Sequence, residues 1–297
     1  MKKTQTTLAV SILFVASSLI YSCKKDRIET PEPEQLNAYE PINSYLDSKK
    51  QQEQDFVIPG PGNDTIVGNQ GTRIYGSKQC LVYPNMDTID YPFTVHLVEL
   101  YTPKDMIYWQ MPTIASGSIL ETDGEIRVRA TANGQELILK PGCPFGFEMP
   151  NGNPDANMTI FTGNDNGSYV NWVDSQTPFT LTAYGYLGYS NTLGWHNADQ
   201  VAGSGGHTLT FTSSTDDLTN VGIFIYMPAT QTVMQVYNKV SGLIPNGTSV
   251  KIVLMAQDAN GQLFSYTESR TVNSSATIDL SLSQTTDAAL TSYLNGL

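Results

Sequence analysis

The residues of this 297-residue chain that could do chemistry are few and scattered. His96, His196 and His207 stand far apart, and no pair has the short spacing at which one element offers two ligands to a metal. Glu121, Asp123 and Glu125 alternate, so on an extended strand they share one face. Two carboxyls about 5 Å apart in a cleft would suit a retaining glycosidase. Gly124 marks a turn there and nothing around it builds a cleft, so the expectation is a solvated acidic rim and no enzyme. Asn151-Gly152-Asn153-Pro154-Asp155 and Gly163-Asn164-Asp165-Asn166-Gly167 are rich in the oxygens that calcium takes. The same residue types make ordinary turns, so no cofactor is assigned and a structural calcium in these loops stays as the alternative. Asp258-Ala259-Asn260-Gly261 reads as a hairpin turn.

Tyr184, Tyr186, Tyr189, Trp195 and Asn197 crowd one short stretch, and flat rings beside short polar groups are what a sugar site needs. Tyr184 and Tyr186 would share one face of a strand. The competing role for these rings is to fill a β-sandwich, and their exposure separates the two. Cys80 and Cys143 follow the turn-like glycines Gly76 and Gly142, which puts both at ends of a sandwich. In an oxidising compartment they are expected to pair, closing about 60 residues for roughly 4 kcal/mol. Placed at opposite ends they would instead pack as two small buried thiols.

These groups need a compartment and a scaffold. The formal charge of −12 repels phosphate backbones, which argues against nucleic acid as a partner. Lys2 and Lys3 precede an uncharged run, Leu8 to Tyr21, of signal-peptide length and too short to span a bilayer permanently. The run closes at Ser22-Cys23, a small residue before a cysteine that resembles a bacterial lipobox, with Tyr21 a bulky departure. The resemblance implies cleavage before Cys23, acylation of its thiol and attachment to a membrane through several chains. Lys24 to Phe56 then reads as a polar, proline-bearing tether with too few apolar positions for a core. The expected location is the outer membrane, facing the periplasm or the cell surface.

Only 15% of residues are charged, and short apolar runs recur between Gly, Asn and Pro turns, the signature of an all-β chain. Ile126, Val128 and Ala130 alternate with Arg127, Arg129 and Thr131, and Asn133-Gly134 follows, so Glu125 to Leu139 is a hairpin. The chain is expected to divide into a signal peptide at 1–22, a tether at 23–55 and two consecutive β-sandwich domains at 56–175 and 176–297. A short helix, Thr286 to Asn295, closes it, with Leu290 and Leu294 on one face.

The ordered set Gly71-Thr72-Arg73-Ile74-Tyr75, Pro92 to Leu100, Lys104-Asp105-Met106, Met111 to Gly124 and Asn133 to Gly142 resembles the ZU5-like β-sandwich module of Bacteroidetes envelope lipoproteins over residues 71–150. Leu193 to Asp199 is similar to a segment that often follows it, with His196 in place of an aliphatic residue. Some related modules cleave themselves at a His-Leu-Ser sequence, but His96-Leu97-Val98 lacks the hydroxyl nucleophile. The resemblance implies a cell-envelope accessory or adhesion-like architecture; with no convergent catalytic groups in the sequence, the expected function is a non-enzymatic, lipid-anchored interaction or assembly protein whose partners are an envelope protein or a glycan. Carbohydrate binding through the Tyr/Trp-rich segment is the alternative, and an adhesin or pilus-like subunit a further one.

Overall fold

Asn133 and Gly134 both take positive φ, 51° and 75°, and turn the strand Ser118–Ala132 onto Gln135–Glu136, as their residue types predict. That strand is the spine of a sheet with the order Gln54–Ile58, Phe93–Leu100, Ser118–Ala132, Gly194–Gly203, Thr159–Asp165, Val170–Pro178, called here the long sheet. Facing it is a short sheet with the order Thr180–Leu181, Gly185–Ser190, Phe145–Pro150, Arg73–Tyr75, Thr65–Val67. Phe93, Val95, Leu97, Ile126, Val128 and Ala130 from the first sheet meet Ile74, Phe145, Phe147, Met149 and Tyr186 from the second in one sandwich core. The structure, a computed structural model, describes residues 36–62, 65–115, 117–165, 170–203 and 205–297. The fold is all-β with a short C-terminal helix.

The expected boundary at 175 falls inside the strand Val170–Pro178, and the three strands that follow, Thr180–Leu181, Gly185–Ser190 and Gly194–Gly203, belong to the first sandwich. Gly194–Gly203 even lies between two strands of the long sheet. The second β-body therefore begins after Gly203. Its five-stranded sheet runs Thr232–Gln235, Gly222–Met227, Thr248–Gln257, Leu263–Val272, Ser283–Thr285. One face, with Ile223, Ile225, Ile252 and Leu254, covers the parallel pair Leu209–Thr212 and Ala276–Asp279. The other face, with Phe224, Tyr226, Val253 and Met255, shares a core with Val98, Leu100, Phe161, Trp172 and Trp195 of the long sheet. Period-two alternation is what lets one strand serve both cores.

Three helices fill this seam. Helix α1 is Asn43–Lys49, helix α2 is Pro103–Trp109 and helix α3 is Asp287–Asn295. Thr102 caps α2 by accepting the Asp105 N–H at 3.2 Å, with Pro103 in the first turn, and Thr286 caps α3 by accepting from Ala289 at 3.2 Å. Helix α1 corrects the tether: from Leu36 onward the chain is part of the fold. Tyr45 and Leu46 are buried against α2 and α3, and the backbone of Asn37 and Glu40 bonds to Thr215 and Gln257. The expected export signal, Cys23 and the expected tether up to Gln35 lie outside the described residues.

A β-bulge sets the phase of the spine. Asn197 pairs with Glu125 while Asp199 pairs with Thr122, so the spine carries one extra residue around Gly124, whose φ is +123°. Side chains therefore switch faces there. Thr122 and Glu125 end up on the seam side, and the expected common face of Glu121, Asp123 and Glu125 does not form.

Candidate ligand-binding face and a buried acid cluster

The outer face of the short sheet is built by residues that alternate with its core. Ile74, Phe147 and Tyr186 point inward, which leaves Arg73, Tyr75, Gly146, Glu148, Leu187 and Tyr189 outward. Gly146 is the cross-strand partner of Tyr75 on one side and of Tyr189 on the other. A Cβ added at Gly146 would come within 3.1 Å of Tyr189 Cε1 and 3.4 Å of Tyr75 Cβ, so the missing side chain is what lets both tyrosines lean over the strand. Tyr189 is 58% exposed and Tyr75 half-buried. The two residues stand two strand spacings apart, about 10 Å.

The next row carries charge. Glu148 pairs in register with Arg73 and Leu187, and its carboxylate accepts from Thr182 Oγ1 at 2.6 Å, Tyr75 Oη at 2.8 Å and Arg73 at 3.2 Å. Burial alone would raise its pKa, but these donors and the guanidinium outweigh burial and hold it below the ordinary glutamate value. The Arg73 guanidinium lies 3.6 Å from the centre of the Tyr184 ring, whose hydroxyl donates to the Gly71 carbonyl at 2.6 Å. Rings and a guanidinium are thus fixed on one open surface, with the Glu148 carboxylate buried beneath its donors.

Of the five residues expected to hold a sugar, only Tyr184 and Tyr189 belong to this side. Tyr186 is fully buried in the sandwich core, where its hydroxyl donates to Asp123 and accepts from the Asp155 N–H. Tyr184 sits in the turn before Gly185, so it does not share a strand face with Tyr186. Trp195 and Asn197 are buried on the far side of the long sheet, Trp195 edge-on to Trp109 at 5.7 Å. Arg73, Tyr75, Gly146 and Glu148 were not among the expected residues. The signal that could have found them is period two: Arg73 and Tyr75 flank inward Ile74, and Gly146 and Glu148 flank inward Phe147.

Cys80 and Cys143 form a disulfide with Cα atoms 5.2 Å apart, at the end of the sandwich where Leu81–Val82 pairs with Ile138–Leu139. The oxygen-rich loops spend side-chain oxygens on their own backbone: Asn151 accepts from the Asn153 N–H, Asp155 from Asn157 and Asp258 from Asn260. Asn166 and Gly167 lie outside the described residues. His96 bridges Asp55 at 2.7 Å and Thr131 at 2.9 Å along its sheet, and His207 faces Asn246. Buried His196 stacks on Phe147 at 5.2 Å, and burial lowers its pKa to about 4. Among the described residues no three His, Cys, Asp or Glu side chains converge as a metal cluster.

The expectation of a solvated acidic rim fails at Glu125. Glu125, Asn197 and Asp199 are fully shielded from solvent on the seam side of the long sheet, brought there by the bulge at Gly124. Both carboxyl oxygens of Glu125, both of Asp199 and the Asn197 Nδ2 have no hydrogen-bond partner. Thr122 Oγ1 donates to Asn197 Oδ1 at 2.9 Å and accepts the Gly124 N–H at 3.1 Å. Burial pushes both carboxyls well above their ordinary pKa values, and the neighbouring Asp199 and Asp123 charges push Glu125 and Asp199 in the same direction. No family model, no curated protein and no solved structure matches this chain.

Proposed function

We propose that this chain is a non-enzymatic interaction protein of the bacterial outer membrane, anchored by lipid on Cys23, and that the outer face of its short sheet takes a carbohydrate. The reading keeps the ZU5-like, envelope-lipoprotein resemblance of residues 71–150, which contribute Arg73, Tyr75, Gly146 and Glu148 to that face. The observation that carries the ligand class is the row Tyr75, Gly146, Tyr189. Two rings held over a glycine offer apolar surface on which the C–H face of a sugar ring can lie. Arg73 in the adjoining row, held by the buried Glu148 carboxylate, offers guanidinium N–H donors to its hydroxyls. A flat, pre-ordered surface of this kind suits an extended glycan chain better than a single small sugar, because each contact is shallow and several must add.

Two measurements test the reading. Binding to a glycan array and to insoluble polysaccharides should be seen for the chain and fall at least tenfold in Tyr189→Ala and Tyr75→Ala. An array and polysaccharide panel showing no binding, or binding untouched by both variants, removes the glycan assignment. Fractionation addresses the anchor: the chain should extract from membranes only with detergent and become soluble in Cys23→Ala. A soluble chain with an unmodified Cys23 would contradict membrane attachment.

A further inference from the structure

The acid cluster on the seam side of the long sheet is not used by the proposed carbohydrate face. Five polar atoms there, four of them carboxyl oxygens, are buried with no hydrogen bond to the protein, the Thr122 hydroxyl beside Asp199 being spent on Asn197 and Gly124. Buried polar groups in folded proteins are nearly always satisfied, and a concentration of unpaired ones at one place marks where a non-protein group belongs. The geometry collects them deliberately. Glu125 and Asn197 are direct cross-strand partners, Asp199 and Thr122 are the next pair on the same face, and the bulge at Gly124 is what brings the two pairs into phase. The seam closes over them: the Thr122 N–H donates to the Thr230 carbonyl at 3.0 Å, and Thr232 Oγ1 donates to the Leu120 carbonyl at 2.5 Å.

From this arrangement we propose a divalent-cation site, calcium by its chemistry, formed by the Glu125 and Asp199 carboxylates with the Asn197 side-chain carbonyl. The donor set is all oxygen, with no thiol or imidazole from these residues, which favours a hard cation over zinc or copper. Two carboxylates balance the charge of one divalent ion. Asn197 Oδ1 already accepts from Thr122 and has a second lone pair to give. Those groups supply up to five oxygens, and calcium completes six to eight with water, whose oxygen also gives the Asn197 Nδ2–H an acceptor. Asp123, the other acid nearby, is on the opposite side of the bulge and bound by the Tyr186 hydroxyl, so it adds negative field without being a ligand. Because all three ligands are fully shielded from solvent, the ion is structural: it joins the Glu125 strand to the Asn197–Asp199 strand beneath the seam.

The test uses the full chain purified without chelator. Metal analysis should find close to one calcium per chain. After chelation, added CaCl2 should raise Tm by about 5 °C or more at a hundredfold excess over Kd. The double variant Glu125→Gln/Asp199→Asn should carry no calcium and show no such rise, whereas Asp155→Asn and Asp258→Asn, in the turn loops, should behave as the parent. Absence of bound metal together with a Tm indifferent to calcium, magnesium and manganese overturns the proposal. So does a rise that survives in the double variant, or a double variant that is more stable than the parent with and without calcium, which is the behaviour of a buried pair of neutral carboxyls.

Discussion

Tyr39 donates its hydroxyl to Asp216 across 2.6 Å and 177 positions of sequence, joining the segment that leads into the fold to the second β-body. Asp216 also accepts from Asn37 at 3.1 Å, Thr215 at 2.8 Å and the Leu282 N–H at 3.0 Å. Burial opposes its ionisation, yet these donors win and lower its pKa to about 2. The folded value lies below the unfolded one near 3.9, so the charged form stabilises the fold at higher pH. That contribution, about 2 kcal/mol, is complete above pH 5 and lost as pH falls from about 4 through about 2. Urea titrations between pH 6 and pH 2 should show this loss in the parent and a flatter dependence in Asp216→Asn. Asp216→Ala, which leaves several donors unpaired, should cost about 3 kcal/mol at pH 7.

Helix α1 makes a second prediction. Leu46 is fully buried among residues of α2, α3 and both β-bodies, and Tyr45 donates to Asp287 at 2.9 Å while Lys49 pairs with the same carboxylate at 2.5 Å. A chain starting at Leu36 should melt with the full chain. One starting at Gln51 should lose stability heavily, and Leu46→Ala alone should cost about 2–5 kcal/mol. A dispensable tether would give identical melting curves for all four proteins.

The disulfide supports a third. Cys80 and Cys143 are 63 residues apart in sequence, and closing a loop of that length restricts the unfolded chain by about 4 kcal/mol. Cys80→Ala/Cys143→Ala should therefore lower the urea midpoint by an amount equivalent to a few kcal/mol, and reductant should do nothing further to it. Peptide mapping under non-reducing conditions should recover the two cysteines in one linked fragment. Recovery of both as alkylated free thiols would contradict the pairing.

What the sequence showed plainly was whatever local pattern decides. The Asn133-Gly134 turn, the alternation at Ile126 to Thr131 and the Thr286 cap each depend on residues a few positions apart, and each stands as expected. What it concealed depends on distant partners. Tyr39, Ile42, Tyr45 and Leu46 are isolated apolar residues in a polar stretch, and only Asp216, Asp287 and the seam core give them somewhere to go. The strand Gly194–Gly203 reads as polar because His196, Asn197 and Asp199 are in it, yet all three are buried at the middle of the long sheet. That is why the boundary was expected too early. The bulge at Gly124 hides in the same way: one extra residue reverses the faces, and nothing but the opposing strand reveals it.

Tyr186 and Tyr189 are three positions apart and make the last prediction, because they look alike in sequence and have opposite roles. Tyr186 is fully buried among Met149, Phe179 and the rest of the sandwich core, and its hydroxyl holds Asp123 and the Asp155 backbone in place. Tyr189 is 58% exposed over Gly146. Tyr186→Ala should cost about 3–5 kcal/mol through the cavity and the unpaired carboxyl it leaves. Tyr189→Ala should change stability by no more than about 0.5 kcal/mol, since it removes a surface ring and no core contact. If the outer face binds glycan, Tyr189→Ala loses binding while remaining folded, which a merely architectural ring would not do. Urea midpoints for both variants, measured beside polysaccharide binding, decide the matter: equal stability losses would mean that Tyr189 belongs to the core and that the open face is not a binding surface.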